Sequence, residues 1–334
     1  MIDGIVVAIA GAASEVGREI ATVLEERGVA VADLRLYDNT DEGTDADAGA
    51  FASTLLPGEA VAFDGVDIAF LCGPAAQTPE LAERAIESGA LVIDVSGVLA
   101  ALDVPLVVPE VNPDVVADGI GRGVYACPVP GATALSVVLK PLDDAAELRR
   151  VAVTALEPAS SAGTSGVDEL AQQSRDLLTG ASVEPAVFPQ RVAFNLIPQV
   201  GEFGAGSRTG AEWEIERQTR DILGLADLPM VVTCVQVPTF YGQAYSVCVE
   251  TERPMALEGA RALLRDAPGV LLADEGCYPT LADVVGSDAT HVGRLRDDPT
   301  VPNGLVMWIV LDGLRKGGAT NAVQIAELAL RARG

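Results

Sequence analysis

The densest group of chemically useful residues lies near the start of the chain, in Ala10-Gly11-Ala12-Ala13-Ser14-Glu15-Val16-Gly17. A strand-like apolar run (5–10) precedes it. A stretch of helical periodicity (15–27, carrying Val16, Ile20, Val23 and Leu24) follows. A strand–turn–helix junction of small residues lets backbone approach a phosphate, and the helix N-terminus supplies N–H donors and a positive dipole end. Gly11, Ala12, Ala13, Ser14, Glu15 and Val16 are therefore candidate cofactor contacts. Ser14 can cap the helix and offer its hydroxyl, whereas Glu15 brings a negative charge near the phosphate position. Asp38, closing the next strand-like run (31–37), is the residue type that accepts from free ribose hydroxyls and repels a 2′-phosphate.

The thiols offer less. Cys72, Cys127, Cys234, Cys248 and Cys277 are scattered, odd in number and form no CxxC pair. No disulfide framework and no metal site is expected. No basic residue adjoins Cys127, and an ordinary thiol with a pKa of about 8.5 is mostly protonated at neutral pH. Cys127 reads as a buried small hydrophobe, and Cys234 and Cys248 as strand core. His291, the single histidine, reads as structural. The formal charge of −26, with Lys140 and Lys316 the only lysines, excludes nucleic acid and anionic membrane surfaces as partners. No apolar run is long enough to span a membrane and no cleavable leader is visible, so a reducing cytoplasm is the expected compartment.

The elements that must position these residues fall into two regions. Strand-like runs at 5–10, 31–37, 66–71 and 90–95 alternate with helical segments at 15–27 and 79–88, and the acidic, Gly-rich stretch 38–50 reads as a loop. This βαβ alternation implies an α/β unit with a parallel sheet covered on both faces. Beyond residue 128 the order is looser. Strands at 148–156, 231–237, 245–250 and 305–311 mix with helices at 165–178, 212–223, 258–266 and 321–333, which predicts an α+β domain.

Several longer segments carry a family resemblance. Ala126-Cys127-Pro128-Val129-Pro130-Gly131-Ala132-Thr133, followed by Leu139-Lys140-Pro141-Leu142, resembles the A-C/N-P-N-C-S-T active-site segment of aspartate-semialdehyde dehydrogenases. The run 103–112 resembles their D-V-P-L-V-V-P-E-V-N, and residues 192–199 their I-A-F-N-x-L-P-Q. Val285-Gly286-Ser287-Asp288 with residues 291–296 is similar to G-S-D-x-x-x-V-G-R-x-R, and 316–327 to the family's last helix. The chain most resembles the Usg-type sister group, whose members lack the catalytic cysteine. The resemblance implies a Rossmann domain (1–128, completed by a helix at 316–334). It also implies a dimerisation domain (129–315) like that of glyceraldehyde-3-phosphate dehydrogenase, and a homodimer.

The resemblance also assigns roles by position. The nucleophilic cysteine falls on Pro130 and its preceding Asn on Val129. The carboxylate-clamping Arg falls on Gln236, the basic His on Gln243, and a Gln near the second domain on Glu157. The phosphate-binding Arg and Lys fall on Leu99 and Glu214. The family's nucleotide turn reads G-A-T-G-A-V-G, its middle glycine here being Ser14. Its S-D-N at the nicotinamide corresponds to Leu311-Asp312-Gly313, and its NADP-binding turn to Tyr37-Asp38, so NAD is favoured over NADP. Loss of a nucleophile alone costs on the order of 10⁴- to 10⁶-fold in rate. The expectation is that no catalytic set is intact and that the phosphorylating dehydrogenase reaction has been lost. That leaves a pseudoenzyme that still binds a dinucleotide or, as the alternative, an active NAD(P)-dependent semialdehyde oxidoreductase with altered chemistry.

Overall fold

The computed structural model describes residues 4–38, 55–57, 61–118 and 123–333. Apart from Asp38, the stretch read as a loop at 38–50 lies outside them. The chain divides into two compact units, Met1–Val129 with Leu314–Gly334, and Pro130–Gly313.

The first unit runs β1 (Ile5–Ala10), α1 (Glu15–Glu26), β2 (Val31–Asp38), β3 (Leu55–Pro57), β4 (Ile68–Leu71), α2 (Thr78–Glu87), β5 (Leu91–Asp94), α3 (Asp114–Asp118) and β6 (Val124–Ala126). Its six-stranded sheet has the order β3-β2-β1-β4-β5-β6, with every neighbouring pair parallel. The order reverses between β1 and β4. That reversal opens a crevice at the carboxyl ends of the strands, where this architecture binds ligands. Strands β4 and β5 are buried at every position, which is why β4 is an unbroken apolar run and β5 is apolar up to the buried Asp94 at its carboxyl end. On one face Val7 and Ile9 pack with Ile20, Val23 and Leu24 of α1 and with Val323 and Ile325 of the C-terminal helix. On the other, Ala8, Ala69 and Leu71 pack with Leu81, Ala82 and Ala85 of α2.

The second unit runs α4 (Pro130–Ala146), β7 (Leu148–Glu157), α5 (Gly163–Thr179), α6 (Gly210–Leu223), β8 (Met230–Gln236), β9 (Gln243–Thr251), α7 (Leu257–Asp266), β10 (Val270–Leu272), α8 (Leu281–Val284), β11 (Thr290–Asp298) and β12 (Gly304–Leu311). The chain then re-enters the first unit through α9 (Thr320–Arg333). The sheet is mixed, in the order β10-β11-β12-β9-β7-β8. Helices α4, α6 and α7 pack against it. Val231, Thr233, Thr154 and Ser246 are exposed on its strands.

The sequence reading lacks the short elements β3, α3, β6, β10 and α8, and two longer ones, α4 and β11. Helix α4 was not anticipated because it contains two prolines. Pro130 takes the first helical position, where a missing N–H costs nothing, and Pro141 sits further along the same helix. Strand β11 was missed because a bulge between Gly293 and Arg296 interrupts its alternation.

Strand β8 lies at an edge, and its outward N–H groups find partners off the sheet. The Val232 N–H donates to Glu216 Oε1 (3.1 Å), the Cys234 N–H to Glu212 Oε1 (3.0 Å) and the Gln236 N–H to the Ile197 carbonyl (2.8 Å). Glu216 is held in turn by Arg208 and Arg220. The two carboxylates of α6 thus close an edge that is otherwise open to a foreign strand. Glu216→Ala leaves a buried N–H unpaired and is expected to cost about 1–3 kcal/mol. Urea denaturation measures the loss, and light scattering any accompanying self-association.

Candidate active site

In the first unit, β1 ends on the turn that the sequence singled out. Gly11 adopts φ +85°, and a Cβ there would meet the Gly73 carbonyl oxygen at 2.8 Å. A Cβ on Gly17 would collide with the Gly11 carbonyl oxygen, so the first turn of α1 can sit on the phosphate turn only with glycine at both places. Ser14 is the N-cap of α1: its hydroxyl accepts from the Gly17 N–H (3.1 Å) and donates to the Gly11 carbonyl (2.6 Å). The hydroxyl is therefore already engaged by the turn itself. Asp38, at the end of β2, accepts the Ala13 N–H on Oδ2 (2.7 Å) and so ties the second strand to the turn. The close backbone approach and the capped helix start at residues 11–17 fit a dinucleotide pyrophosphate.

In the second unit four of the residues named by position, Pro130, Glu157, Gln236 and Gln243, come together. Gln243 Nε2 donates to Glu157 Oε2 (2.6 Å), and Gln236 Nε2 donates to the Glu157 carbonyl (2.8 Å). Gly313 touches the same cluster. A Cβ on it would overlap Gln243 Oε1 and lie 3.4 Å from Pro130 Cβ, so glycine is required for Gln243 to sit there. A Cβ on Gly131 would meet the Tyr245 hydroxyl at 3.2 Å, which places the N-terminal turn of α4 over Tyr245. Among the described residues, Gln243 Oε1 and the Tyr245 hydroxyl are buried with no hydrogen-bond partner.

Glu157 is 5% exposed. Burial pushes its carboxyl up to about 7, against a smaller opposing pull from the Gln243 hydrogen bond. Burial also drives Tyr245 well above its ordinary value, helped by the Glu157 charge. The nearby thiol, Cys234, is pushed strongly upward by burial and by Glu157, Glu212 and Glu216, so it stays protonated. A carboxyl titrating near neutrality beside unsatisfied polar atoms is equipped for proton transfer.

The remaining candidates have structural surroundings. Cys127 is buried in the first unit and pushed up to about 12, chiefly by burial. Leu99 is buried with its N–H on Asp94 Oδ2 (2.8 Å). Glu214 accepts from Arg217 and Gln218 on its own helix (both 2.7 Å). His291 Nε2 lies 2.8 Å from Ser287 Oγ, and burial holds its pKa below the ordinary value. Among the described residues no helix is long and apolar enough to cross a membrane. Sequence reasoning missed Tyr245 and the cradle at Gly313, and it named Glu157 only as a replacement.

A Rossmann sheet with a glycine-shaped turn at the end of its first strand, joined in one chain to a mixed-sheet unit holding a buried carboxyl, has the architecture of an NAD(P)-binding oxidoreductase. Residues 6–119 match the semialdehyde dehydrogenase NAD binding domain and residues 139–316 the semialdehyde dehydrogenase dimerisation domain. The chain belongs to the semialdehyde dehydrogenase family. It is 37% identical to the aspartate-semialdehyde dehydrogenase of Aquifex aeolicus, with 97% of this chain and 98% of that protein aligned. It is 35% identical to a USG-1 protein homolog of Azotobacter vinelandii, with 97% of each covered. Its fold superposes on the crystal structure of Vibrio cholerae aspartate semialdehyde dehydrogenase II complexed with ASA, with a TM-score of 0.95, 37% identity and 98% of each chain covered.

These likenesses overturn two expectations. Full-length relatives at this identity carry the name of an enzyme, and a matching structure was solved with ASA in complex. The expected loss of the phosphorylating reaction, and with it a pseudoenzyme that is not an active dehydrogenase, is therefore corrected. The absence of one mechanism's groups at Pro130, Gln236 and Gln243 does not by itself exclude turnover, and the Glu157 carboxyl, pushed up to about 7 by burial, is a property of the fold that its place in the sequence does not carry.

Proposed function

We propose that the chain is an NAD(P)-dependent oxidoreductase acting on a semialdehyde of the aspartate-semialdehyde type, with Glu157 exchanging the proton and NAD the preferred dinucleotide. The observation that carries this reading is the buried Glu157 carboxyl, poised near pH 7 and held by Gln243. Bound NAD(P) supplies the hydride acceptor. Ionised Glu157 takes a hydroxyl proton from the hydrated aldehyde as the C–H bond breaks, and the carbon rises to the carboxyl oxidation level. The proton then passes to solvent. In the reverse direction the protonated carboxyl returns it. A pKa close to the working pH keeps both forms populated. The Gln243 amide fixes Glu157 Oε2, while Gln243 Oε1 and the Tyr245 hydroxyl keep hydrogen-bonding capacity for substrate.

The test is reduced-nicotinamide absorbance with aspartate semialdehyde and NAD or NADP, with and without phosphate. Turnover is expected, faster above neutrality than below. Dependence on phosphate reads whether the product leaves as an acyl phosphate or as a free acid. Absence of reduction of either dinucleotide defeats the proposal.

Asp38 supports NAD over NADP. Asp38→Asn keeps an acceptor for the Ala13 N–H and removes the charge. It is expected to tighten NADP relative to NAD by about tenfold, measured by nucleotide fluorescence titration. The exposed side chains of β8, β7 and β9 support a homodimer through that part of the sheet. Five free cysteines and a dinucleotide site suit a cytoplasmic protein.

A further inference from the structure

A cavity of about 740 Å³ lies within the second unit, lined by Leu257 and Arg261 of α7, residues 273–281, Arg294, Leu295 and Arg296 of β11, and Trp308 of β12. None of the residues of the Glu157 cluster lines it. Three arginines converge here in a chain whose formal charge is −26. Two of them, Arg294 and Arg296, stand at the bulge in β11, and Arg294 takes φ +52°, a conformation that favours glycine or asparagine. Among the described residues neither Arg294 nor Arg296 forms an ion pair. Arg296 donates only to the Arg294 carbonyl (3.0 Å). Arg261, with its side chain 12% exposed, donates Nη2 to the Leu295 carbonyl (3.2 Å). Its Nε is buried without a hydrogen-bond partner and lies 3.9 Å from Glu258.

We infer that this cavity is a second ligand site, specific for a small molecule that carries a carboxylate or phosphate group on an apolar body. Arg294 and Arg296 supply charge-assisted donors in a fork geometry suited to an oxyanion. Leu257, Pro279, Leu281, Leu295 and Trp308 supply the apolar wall. The volume lies in the range of small-molecule sites. Asp274 and Glu275 also line the cavity; their charge opposes binding of simple inorganic anions and favours a ligand whose apolar part is also held.

Trp308 and Trp213 are the only tryptophans, and Trp213 is half-exposed on α6, so Trp213→Phe leaves Trp308 as the reporter. The full chain with this change is titrated with inorganic phosphate, citrate and phenyl phosphate, against chloride at matched ionic strength. Isothermal calorimetry on the unaltered chain runs alongside. A saturable Trp308 response is expected for the oxyanions, tightest for phenyl phosphate, and none for chloride. Arg294→Asn with Arg296→Gln, which respects the backbone at residue 294, is expected to weaken binding about tenfold or more while leaving the melting temperature unchanged. Three results overturn the inference: no saturable response and no heat with any oxyanion, equal affinity in the double variant, or a double variant that changes only the association of two copies of the chain. The last would show that a second copy closes the cavity.

Discussion

Replacing Glu157 with Gln is expected to reduce semialdehyde turnover by about 10²- to 10⁴-fold, the usual contribution of a positioned acid–base group, while NAD binding in the other unit is retained. The substitution preserves shape and a hydrogen bond with Gln243 but cannot exchange a proton. The same change is expected to stabilise the protein at alkaline pH, for a reason of sign. Burial raises the folded carboxyl from 4.5 to about 7, so the folded state holds a proton that the unfolded chain has released. That difference stabilises the fold below the unfolded pKa, and the contribution is lost as pH rises through 7. The shift is worth on the order of 3 kcal/mol. Above neutrality Glu157→Gln is therefore expected to melt higher than the unaltered chain, and below pH 4.5 the two should converge. A variant that loses activity and gains alkaline stability identifies a group kept for chemistry at the fold's expense. A variant that loses both marks a merely structural carboxyl.

The largest effect on folding is expected at Lys316. It lies in the π-helical turn Arg315–Ala319 ahead of α9 and is fully buried. Its Nζ donates to Glu110 Oε1 (2.6 Å) and lies 3.1 Å from Gln324 Oε1, and Gln324 Nε2 also donates to Glu110 Oε1 (2.8 Å). Burial pushes the Glu110 carboxyl up, but the Lys316 charge and the hydrogen bonds from Lys316 and Gln324 outweigh it and hold Glu110 below the usual carboxylate range. Lys316→Met leaves that carboxylate buried and unpaired, at a cost of roughly 3–5 kcal/mol. Against a total of about 5–15 kcal/mol this threatens the unit itself. Adding Glu110→Leu is expected to restore most of the loss, because a matched apolar pair replaces a buried ion pair well. Denaturant midpoints of the single and double variants give the comparison. The depressed Glu110 pKa also stabilises the fold above the unfolded carboxylate value, and that contribution disappears as pH falls through the folded one.

The first unit was legible in the sequence because its signals are local. Ile5–Ala10 is apolar throughout, α1 is amphipathic, and Gly11 and Gly17 are the only residue type the turn accepts. The second unit was less legible where local and tertiary signals conflict. Pro130 and Pro141 hid α4, although a proline at the first helical position is favourable. Gly293 and Arg294 hid β11, since a bulge breaks the period of two on which strand recognition rests. The site divided the same way. The positions Pro130, Glu157, Gln236 and Gln243 could be named in advance, but the raised pKa of Glu157 depends on what surrounds it in three dimensions. Tyr245 alternates inward on β9 like any core residue, and only its unpartnered hydroxyl over the start of α4 distinguishes it.

The most direct measurement is the initial rate of NADH formation from aspartate semialdehyde by the unaltered chain, followed across neutral pH beside Glu157→Gln. The rate should rise with a midpoint near 7 and the variant should show no such rise. Absence of reduced nicotinamide at every pH, or a pH profile that the substitution leaves in place, would contradict Glu157 as the proton-exchanging group.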